Sequence, residues 1–559
     1  MNRCAPKMSL GDYLLLKKCT VLFVSCLCWA AVPAKAEFTV KVALTPIQES
    51  LMQGTAQRCE GLPELRSMPI DEALEQLYEV NGYIAIWQQE ERLQSLQEEL
   101  LELATDGLEP REYALAFADP PEDVCAELRV TGTYLHALEH LSRGRLDPED
   151  HEPMWHPKDY PPPERPTVAE LGRYGLADMS RAFDRARPTL PQYVELRRAY
   201  RQMDREPVIY IAFPEGPSIK PGATDQRLPQ LAQRLMLEGF LPWEDPSAGP
   251  LTDPITSVAE PVRAQPLSYD SQLQQAVRAF QVAHGLQSDG IVGRQTVAAL
   301  NVTPQERRLQ LLINLERLRW LEARRDEHVL LVNSAGSTAV ILQGNNVRWA
   351  SRVQSGTADR ATPLMVSRIN RVTLNPSWTV PPTIFRKDKL PQIRSNPAYF
   401  AERDLQVLDY QGNRLNPADI DWHTPQGVLL RQPPGPENPL GALVFRFENP
   451  FAVFLHDTPS QSLFERAARN VSSGCVRVEQ ATELADYLFD NLDASERERI
   501  RELQASGKTH EIRVRSGPQV ILGYWTVQVM EDGSLRYLPD PYDMDEALAK
   551  ALSAALQED

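Results

Sequence analysis

The hydrophobic rhythm of this chain changes near residue 326, and that change sets what it can fold into. Before it, apolar residues recur at helical spacing. Ala73, Leu74, Leu77 and Tyr78 mark one helix that Asp71 is placed to cap. Leu93, Leu96, Leu100, Leu101 and Ala104 mark a second, ended by Gly107 and Pro110. Leu309, Leu312, Leu315, Leu318 and Trp320 predict a connecting helix over 306–325. After it, VLLVN (329–333), STAVILQ (337–343) and VRWASRVQSG (347–356) are short runs in the rhythm of β-hairpins. Two periods in one chain imply a multidomain α+β protein, helices first and an all-β domain after. Its 559 residues leave room for roughly three or four domains.

The N-terminus reads as a targeting segment. Lys17 and Lys18 precede an apolar run from Cys19 to Val32, and Ala34-Lys35-Ala36 offers a small-residue cleavage site before Glu37. Residues 1–36 are expected to be a signal peptide, because the run is short for a bilayer span. An uncleaved anchor and a lipoprotein attached through Cys26 are the alternatives, and membrane contact is expected only through this segment if it is retained. Export removes Cys4, Cys19, Cys26 and Cys28 and leaves Cys59, Cys125 and Cys475. In an oxidising compartment a Cys59–Cys125 disulfide leaves Cys475 as the free thiol; two unpaired buried cysteines are the alternative. The formal charge of −17 becomes about −21 without the segment. With no basic cluster in the remainder, nucleic acid is not an expected partner.

The chemistry is concentrated near the other end. His456 is followed nineteen residues later by Cys475 in HDTPSQSLFERAARNVSSGCVRVE. A thiol on a glycine turn, beside backbone N–H groups and with an upstream imidazole, suits acyl transfer through a thiolate. An inert buried cysteine is the alternative for any lone Cys/His pair.

This phrase resembles the active-site signature of the L,D-transpeptidase (YkuD) family: a histidine, an intervening stretch, then Ser/Thr-His-Gly-Cys and a nearby arginine. His456, Ser472, Ser473, Gly474, Cys475 and Arg477 fill it, with Ser473 where most members carry a second histidine. Ser-Ser-Gly-Cys is similar to the larger, YcbB-like branch of Gram-negative members. NPSWTVPPTI (Asn375 to Ile384) and RQPPGPENPLG (Arg431 to Gly441) resemble the family's Asn-Pro-x-Trp strand end and the loop entering the histidine strand. FENPFAVFLHD then reads as a strand, with Phe451, Val453 and Leu455 alternating up to His456. The resemblance implies Cys475 as nucleophile, His456 as proton acceptor and the Ser473 backbone carbonyl as the group that orients the imidazole. It also implies an oxyanion hole at the Gly474–Cys475 turn, Arg477 as a contact to substrate carboxylate or a support of the site's fold, and no metal or cofactor; Trp378 reads as a substrate contact lining the cleft, with a place in the core as the alternative. Asp457 invites a Cys-His-Asp reading, but neighbouring side chains on a strand face opposite ways. The implied reaction forms 3→3 peptidoglycan cross-links from tetrapeptide donors with release of D-alanine. An L,D-carboxypeptidase, a hydrolase of wall-linked lipoprotein and a non-catalytic wall-binding scaffold are the alternatives.

The rest of the chain fits the same resemblance. Residues 37–225, including YLHALEHLSRGRLDP (Tyr134 to Pro148), are similar to the helical scaffold of the YcbB-like branch. His136 and His140 share a helix face there, but Glu139 is misplaced for a zinc HExxH, so they read as a structural pair. Tyr269 to Asn301 resembles a small peptidoglycan-binding module, with Val277, Phe280 and His284 on one face and Asp289, Gly290 and Gly293 in a turn. That hairpin is too small to bury a core alone, so a third helix from Leu228 to Leu237 is expected to complete a module over 226–305. A YkuD-type catalytic domain is expected over 326–530, interrupted at about 385–431 by an insertion that caps the cleft. Strands around Val520 to Met530 complete its sheet, and a polar helix near Met544 to Leu556 lies in a 531–559 tail. The resemblance implies the periplasm of a Gram-negative bacterium, peptidoglycan stems and glycan strands as ligands, and other cell-wall synthases as further partners.

Overall fold

One helix, Pro304–Arg324, holds the parts of this molecule together in a computed structural model that describes residues 44–55, 59–113, 120–205, 210–242, 268–396 and 398–555. The expected signal peptide lies outside those residues. The helix starts at a capping box between Thr303 and Glu306, with Pro304 in its first turn. A surface helix buries one stripe; here every residue from Leu311 to Leu321 is buried, charged ones included. Scaffold helices Val124–Arg143 and Pro191–Arg205 lie against it, as do the β domain and the C-terminal helix Asp545–Ala555.

The charges inside this packing are paired. Arg319 donates to Glu316 (2.8 Å), to the Tyr193 hydroxyl (3.1 Å) and to the Asp106 carbonyl. Arg317 pairs with Glu152 (2.6 Å) of the scaffold and with Asp545 (2.5 Å) of the C-terminal helix. Asn314 takes the Thr526 N–H at 2.8 Å and donates to its hydroxyl at 2.9 Å. The C-terminal helix therefore differs from the expected polar one: Leu548 and Leu552 are buried.

In the scaffold, Ala73, Leu74, Leu77 and Tyr78 are buried as their spacing predicts. Asp71 is not the cap, because helix Ile70–Val80 begins one residue before it, after Pro69. Leu93, Leu96 and Leu100 are buried, whereas Leu101, about 100° further round the helix, is 66% exposed. His140 is buried with its Nδ1 2.8 Å from the Tyr113 hydroxyl, and no metal-binding cluster occurs among the described residues. A disulfide joins Cys59 to Cys125, 66 residues apart, a closure that stabilises by about 4 kcal/mol through loop entropy.

The β domain is a ten-stranded sheet. Its strands are β1 (His328–Asn333), β2 (Thr338–Gln343), β3 (Asn346–Gly356) and β4 (Met365–Leu374), followed by three that belong to the cap. The cap strands are β5 (Trp378–Thr379), β6 (Gln406–Leu408) and β7 (Leu429–Gln432), in the order β5-β7-β6. The main sheet resumes with β8 (Leu443–Phe447), β9 (Leu455–His456), β10 (Asn470–Ser472) and β11 (Val476–Val478). It ends with β12 (His510–Arg513) and β13 (Gln519–Gly523). Pairing runs β3-β11-β9-β8-β4-β13-β1-β2 and returns to β3, so these strands close a ring. β3 closes it because it is long: residues 346–352 pair with β2, and 353–356 with β11 and β10. Leu330, Val332, Ile341, Phe445, Leu455 and Val476 fill one side of the sheet with helix Ala481–Phe489. Val329, Leu331 and Ile521 face the other way, onto the connecting helix.

Helices Leu228–Leu237, Ser271–Ala283 and Arg294–Leu300 form the small module around Leu231, Leu235, Val277, Phe280 and Leu300. Its turn presses on the C-terminal segment: a Cβ on Gly285 (φ +62°) would sit 2.8 Å from Leu538, and Arg536 donates to the Val282 carbonyl at 2.9 Å. Arg319→Ala is expected to cost about 3–5 kcal/mol in chemical denaturation, because it strands Glu316 in the interior. Lys550→Ala, which breaks an exposed pair with Glu546, should leave the midpoint in place.

Candidate active site

His456 ends β9, and the strand is shorter than its sequence suggests. Asn449 Oδ1 accepts the N–H groups of both Phe451 and Val453 (3.0 Å each), which folds 449–453 into a loop with Ala452 at φ +55°. Phe451 is consequently 47% exposed rather than part of an alternating strand, while Val453 and Leu455 are buried.

Cys475 follows a turn whose geometry each motif residue helps to set. Ser472 donates its hydroxyl to the Cys475 carbonyl (2.6 Å) and accepts the Gly474 N–H (3.1 Å). Gly474 sits at φ +110°, open only to glycine at low cost. Its carbonyl accepts the Thr362 hydroxyl at 3.0 Å, and Thr362 leans on Tyr542, whose hydroxyl donates to the Gly356 carbonyl at 2.8 Å. Tyr542 stacks on Tyr524, with ring centroids 5.2 Å apart. Ser473 points outward and accepts from Arg360 (2.8 Å), which also holds Asp388 of the cap through two bonds of 2.6 and 2.7 Å. None of Thr362, Tyr542, Arg360 or Asp388 was marked by a motif.

Strand register places the chemistry on one face. His456 pairs with Arg477 of β11 on one side and Val444 of β8 on the other, and paired residues point the same way. Their neighbours Leu455, Val476 and Phe445 face the core. Cys475, two residues before Arg477, lies on the His456 side. Its thiol is partly exposed and reaches the Ala452 carbonyl at 3.8 Å. Arg477 is half-buried and donates to Gln354 at 3.0 Å.

The electrostatics follow from burial. Desolvation lowers the His456 pKa to about 3, aided by the Arg477 charge and opposed by the bond to the Asp457 carbonyl. Desolvation raises the Cys475 thiol, with the Phe454 backbone and Arg477 acting in the other direction. At neutral pH the pair is a thiol and a neutral imidazole, not an ion pair. The orienting carbonyl differs from the one implied by the family signature: His456 Nδ1 lies 2.5 Å from the Asp457 carbonyl, not bonded to Ser473. The Asp457 carboxylate itself accepts the Ala442 N–H at 2.8 Å, beside Gly441. Two further expectations change. The Gly474 N–H, expected in an oxyanion hole, is instead committed to Ser472. Trp378 is packed in the apolar core of the cap with Val380, Tyr399 and Leu430, under Lys389, rather than on a cleft wall.

Three stretches of the chain match known domain families. Residues 327–500 match the L,D-transpeptidase catalytic domain family (YkuD). The chain carries a YkuD-type L,D-transpeptidase catalytic domain. Residues 72–199 match the scaffold domain family, and 263–300 a family provisionally described as a peptidoglycan binding domain. A Haemophilus influenzae protein provisionally named an L,D-transpeptidase is 35% identical over 264 residues, covering 46% of this chain and 53% of that protein. The chain thus spans about half the length of that relative. Among solved structures, an L,D-transpeptidase from Mycobacterium smegmatis is 14% identical over 35% of this chain and 58% of its own, with a TM-score of 0.17. One from Stackebrandtia nassauensis is 14% identical over 55% and 95%, with a TM-score of 0.20. Scores of that size say nothing about this fold, which rests on its own strand pairings.

Two outcomes test the site. Alkylation of Cys475 by iodoacetamide, followed by mass, should accelerate with pH to a midpoint above the ordinary thiol range. It should show no step between about pH 5 and 7.5, where an unperturbed imidazole titrates. Ser472→Ala should lower turnover at least about tenfold, the scale set by losing a bond to a buried donor, with a small change in Tm.

Proposed function

We propose that this chain is a peptidoglycan L,D-transpeptidase that works through a Cys475 acyl-enzyme. The observation that supports it best is the shared sheet face of Cys475, His456 and Arg477, behind a left-handed Gly474 turn. The donor is a tetrapeptide stem whose third residue, meso-diaminopimelate, is joined through its L-centre to D-alanine. Cys475 attacks that carbonyl while its proton moves to His456. With Nδ1–H donated to Asp457, the ring's Nε2 is the lone pair that takes it. A buried imidazolium is costly on its own, so proton transfer and attack are concerted, with the negative charge forming beside the positive Arg477. The Cys475 N–H supports the oxyanion. Collapse expels D-alanine, which takes the proton from His456 and leaves a thioester. The side-chain amine of a second stem then attacks the thioester and loses a proton to His456, which passes it to the departing Cys475 sulfur. The product is a 3→3 cross-link and the free thiol.

The matched module supports glycan strands as the ligand that keeps the catalytic domain on the wall. The Cys59–Cys125 disulfide supports action outside the cytoplasm, in the periplasm of a Gram-negative cell. Among the described residues no helix is long and apolar enough to cross a membrane.

Incubating the purified chain with tetrapeptide muropeptides should yield cross-linked dimers and free D-alanine by mass spectrometry. Tripeptide alone would make the enzyme a carboxypeptidase, and unchanged substrate would refute the proposal. Cys475→Ala should be inert. A carbapenem should add one mass equivalent per chain, mapped to the peptide containing Cys475, and none to that variant.

A further inference from the structure

One step back along the strands from the His456–Arg477 row lies a second row on the same face. Cys475 stands beside Phe454, whose carbonyl accepts the Val476 N–H (3.1 Å). Phe454 is followed by Arg446 on β8 and, by register, Arg371 on β4. At about 4.8 Å per strand, Arg446 is about 10 Å from the nucleophile, backbone to backbone. Beyond Phe454 the surface opens into a hollow of about 430 Å³ whose wall includes Asn370, Arg371, Arg446, Glu448, Ala452 and Phe454. It touches the catalytic pair directly: the Ala452 carbonyl meets the Cys475 thiol, and the Phe454 ring packs edge-on to His456 with centroids 5.8 Å apart.

The charged groups of this hollow are held but not satisfied. Arg446 lies over the Phe454 ring (5.4 Å) and spends its Nε on the Thr373 hydroxyl (2.8 Å). Neither of its Nη atoms makes a hydrogen bond among the described residues. Its nearest carboxylate, Glu511 at 4.0 Å, is shared with Arg371, which holds it at 3.1 Å. Burial pushes the Arg446 pKa down, and Glu511 only partly offsets this. Glu448, on the same wall, pairs with neither arginine. An idle guanidinium edge and an idle carboxylate in one hollow complement a group that carries both charges.

We propose that this hollow is the subsite for the free amino-acid end of the donor's diaminopimelate side chain, with Arg446 taking its carboxylate and Glu448 its ammonium. The inference rests on the transpeptidase reading and specifies how the donor is chosen. The reach agrees: from the attacked carbonyl carbon to the D-centre is five bonds, about 6 Å extended, and its carboxylate lies about 1 Å further. A donor whose side-chain end is amidated, acylated or already cross-linked fits less well, so the subsite selects uncross-linked stems.

The test follows acylation of Cys475 by intact mass, using synthetic tetrapeptide donors with a free, a carboxamidated or an N-acetylated D-centre. Wild type should acylate roughly tenfold faster with the free donor than with either modified one, the scale of one charge-assisted hydrogen bond. Arg446→Gln should slow the free donor to the rate of the carboxamide and leave the carboxamide rate unchanged; Arg446→Lys should recover part of the difference. Glu448→Gln should remove the discrimination against the N-acetyl donor only. Iodoacetamide labelling should proceed at the wild-type rate in all three variants, which reports an intact turn. Equal wild-type rates on all donors, or an equal loss on all donors in Arg446→Gln, would overturn the subsite. No acylation by any donor while Cys475 is still alkylated would overturn the transpeptidase reading, and the subsite with it.

Discussion

The structure depends on charges buried along the connecting helix. Arg317 and Arg319 are almost without solvent: Arg317 is neutralised by carboxylates from two separate parts of the chain, and Arg319 by Glu316 of its own helix. Arg317 takes Glu152 from the scaffold and Asp545 from the C-terminal helix; Arg319 takes Tyr193 and the Asp106 carbonyl from two scaffold elements. A hydrophobic interface would tolerate sliding. A guanidinium with several fixed acceptors does not, because each lost bond leaves a charge in a low-dielectric interior. The scaffold, the β domain and the C-terminal segment are thereby set at one mutual position, and the outer face of β1 and β13 is packed on the result.

That rigidity reaches Cys475 through the C-terminal segment. Tyr524 lies under Arg317 and stacks on Tyr542, Tyr542 braces Thr362, and Thr362 holds the Gly474 carbonyl. The turn is also fixed from within by Ser472 and from the cap side by Arg360 and Ser473. A thiol raised by burial and an imidazole lowered by burial are both poor at their tasks alone. In the proposed reaction fixed geometry compensates, because the proton and the new bond move together and neither charge has to exist unaccompanied.

What could be read from the sequence was local in sequence. The Ser472–Arg477 phrase encodes its own turn, so its residues were legible as a site. The helical stripes through Leu77, Leu96 and Phe280 gave their buried faces because period and burial are one fact. Errors arose where a distant or subtle contact decided the outcome. The strand expected through Phe451 is bent by Asn449. An indole at a strand end suits a cleft wall or a core equally, and the cap core takes Trp378. The group beside His456 Nδ1 is the Asp457 carbonyl, a backbone atom that no side-chain pattern records. Thr362 and Tyr542 are 180 residues apart and carry no motif; only the fold brings them together.

β3 carries a consequence of its own. Its first part is the return arm of a hairpin around Gly344, which sits at φ +60°, and its last part is the partner of β11. The alignment of β11 is therefore inherited from a turn more than a hundred residues earlier in the chain. A one-residue slip at that hairpin would invert every later side chain of β3 and offer β11 the wrong edge. The hairpin pairing is local in sequence, whereas the β3–β11 pairing spans more than a hundred residues. The frame that holds Cys475 is thus begun in a local contact and completed by a distant one.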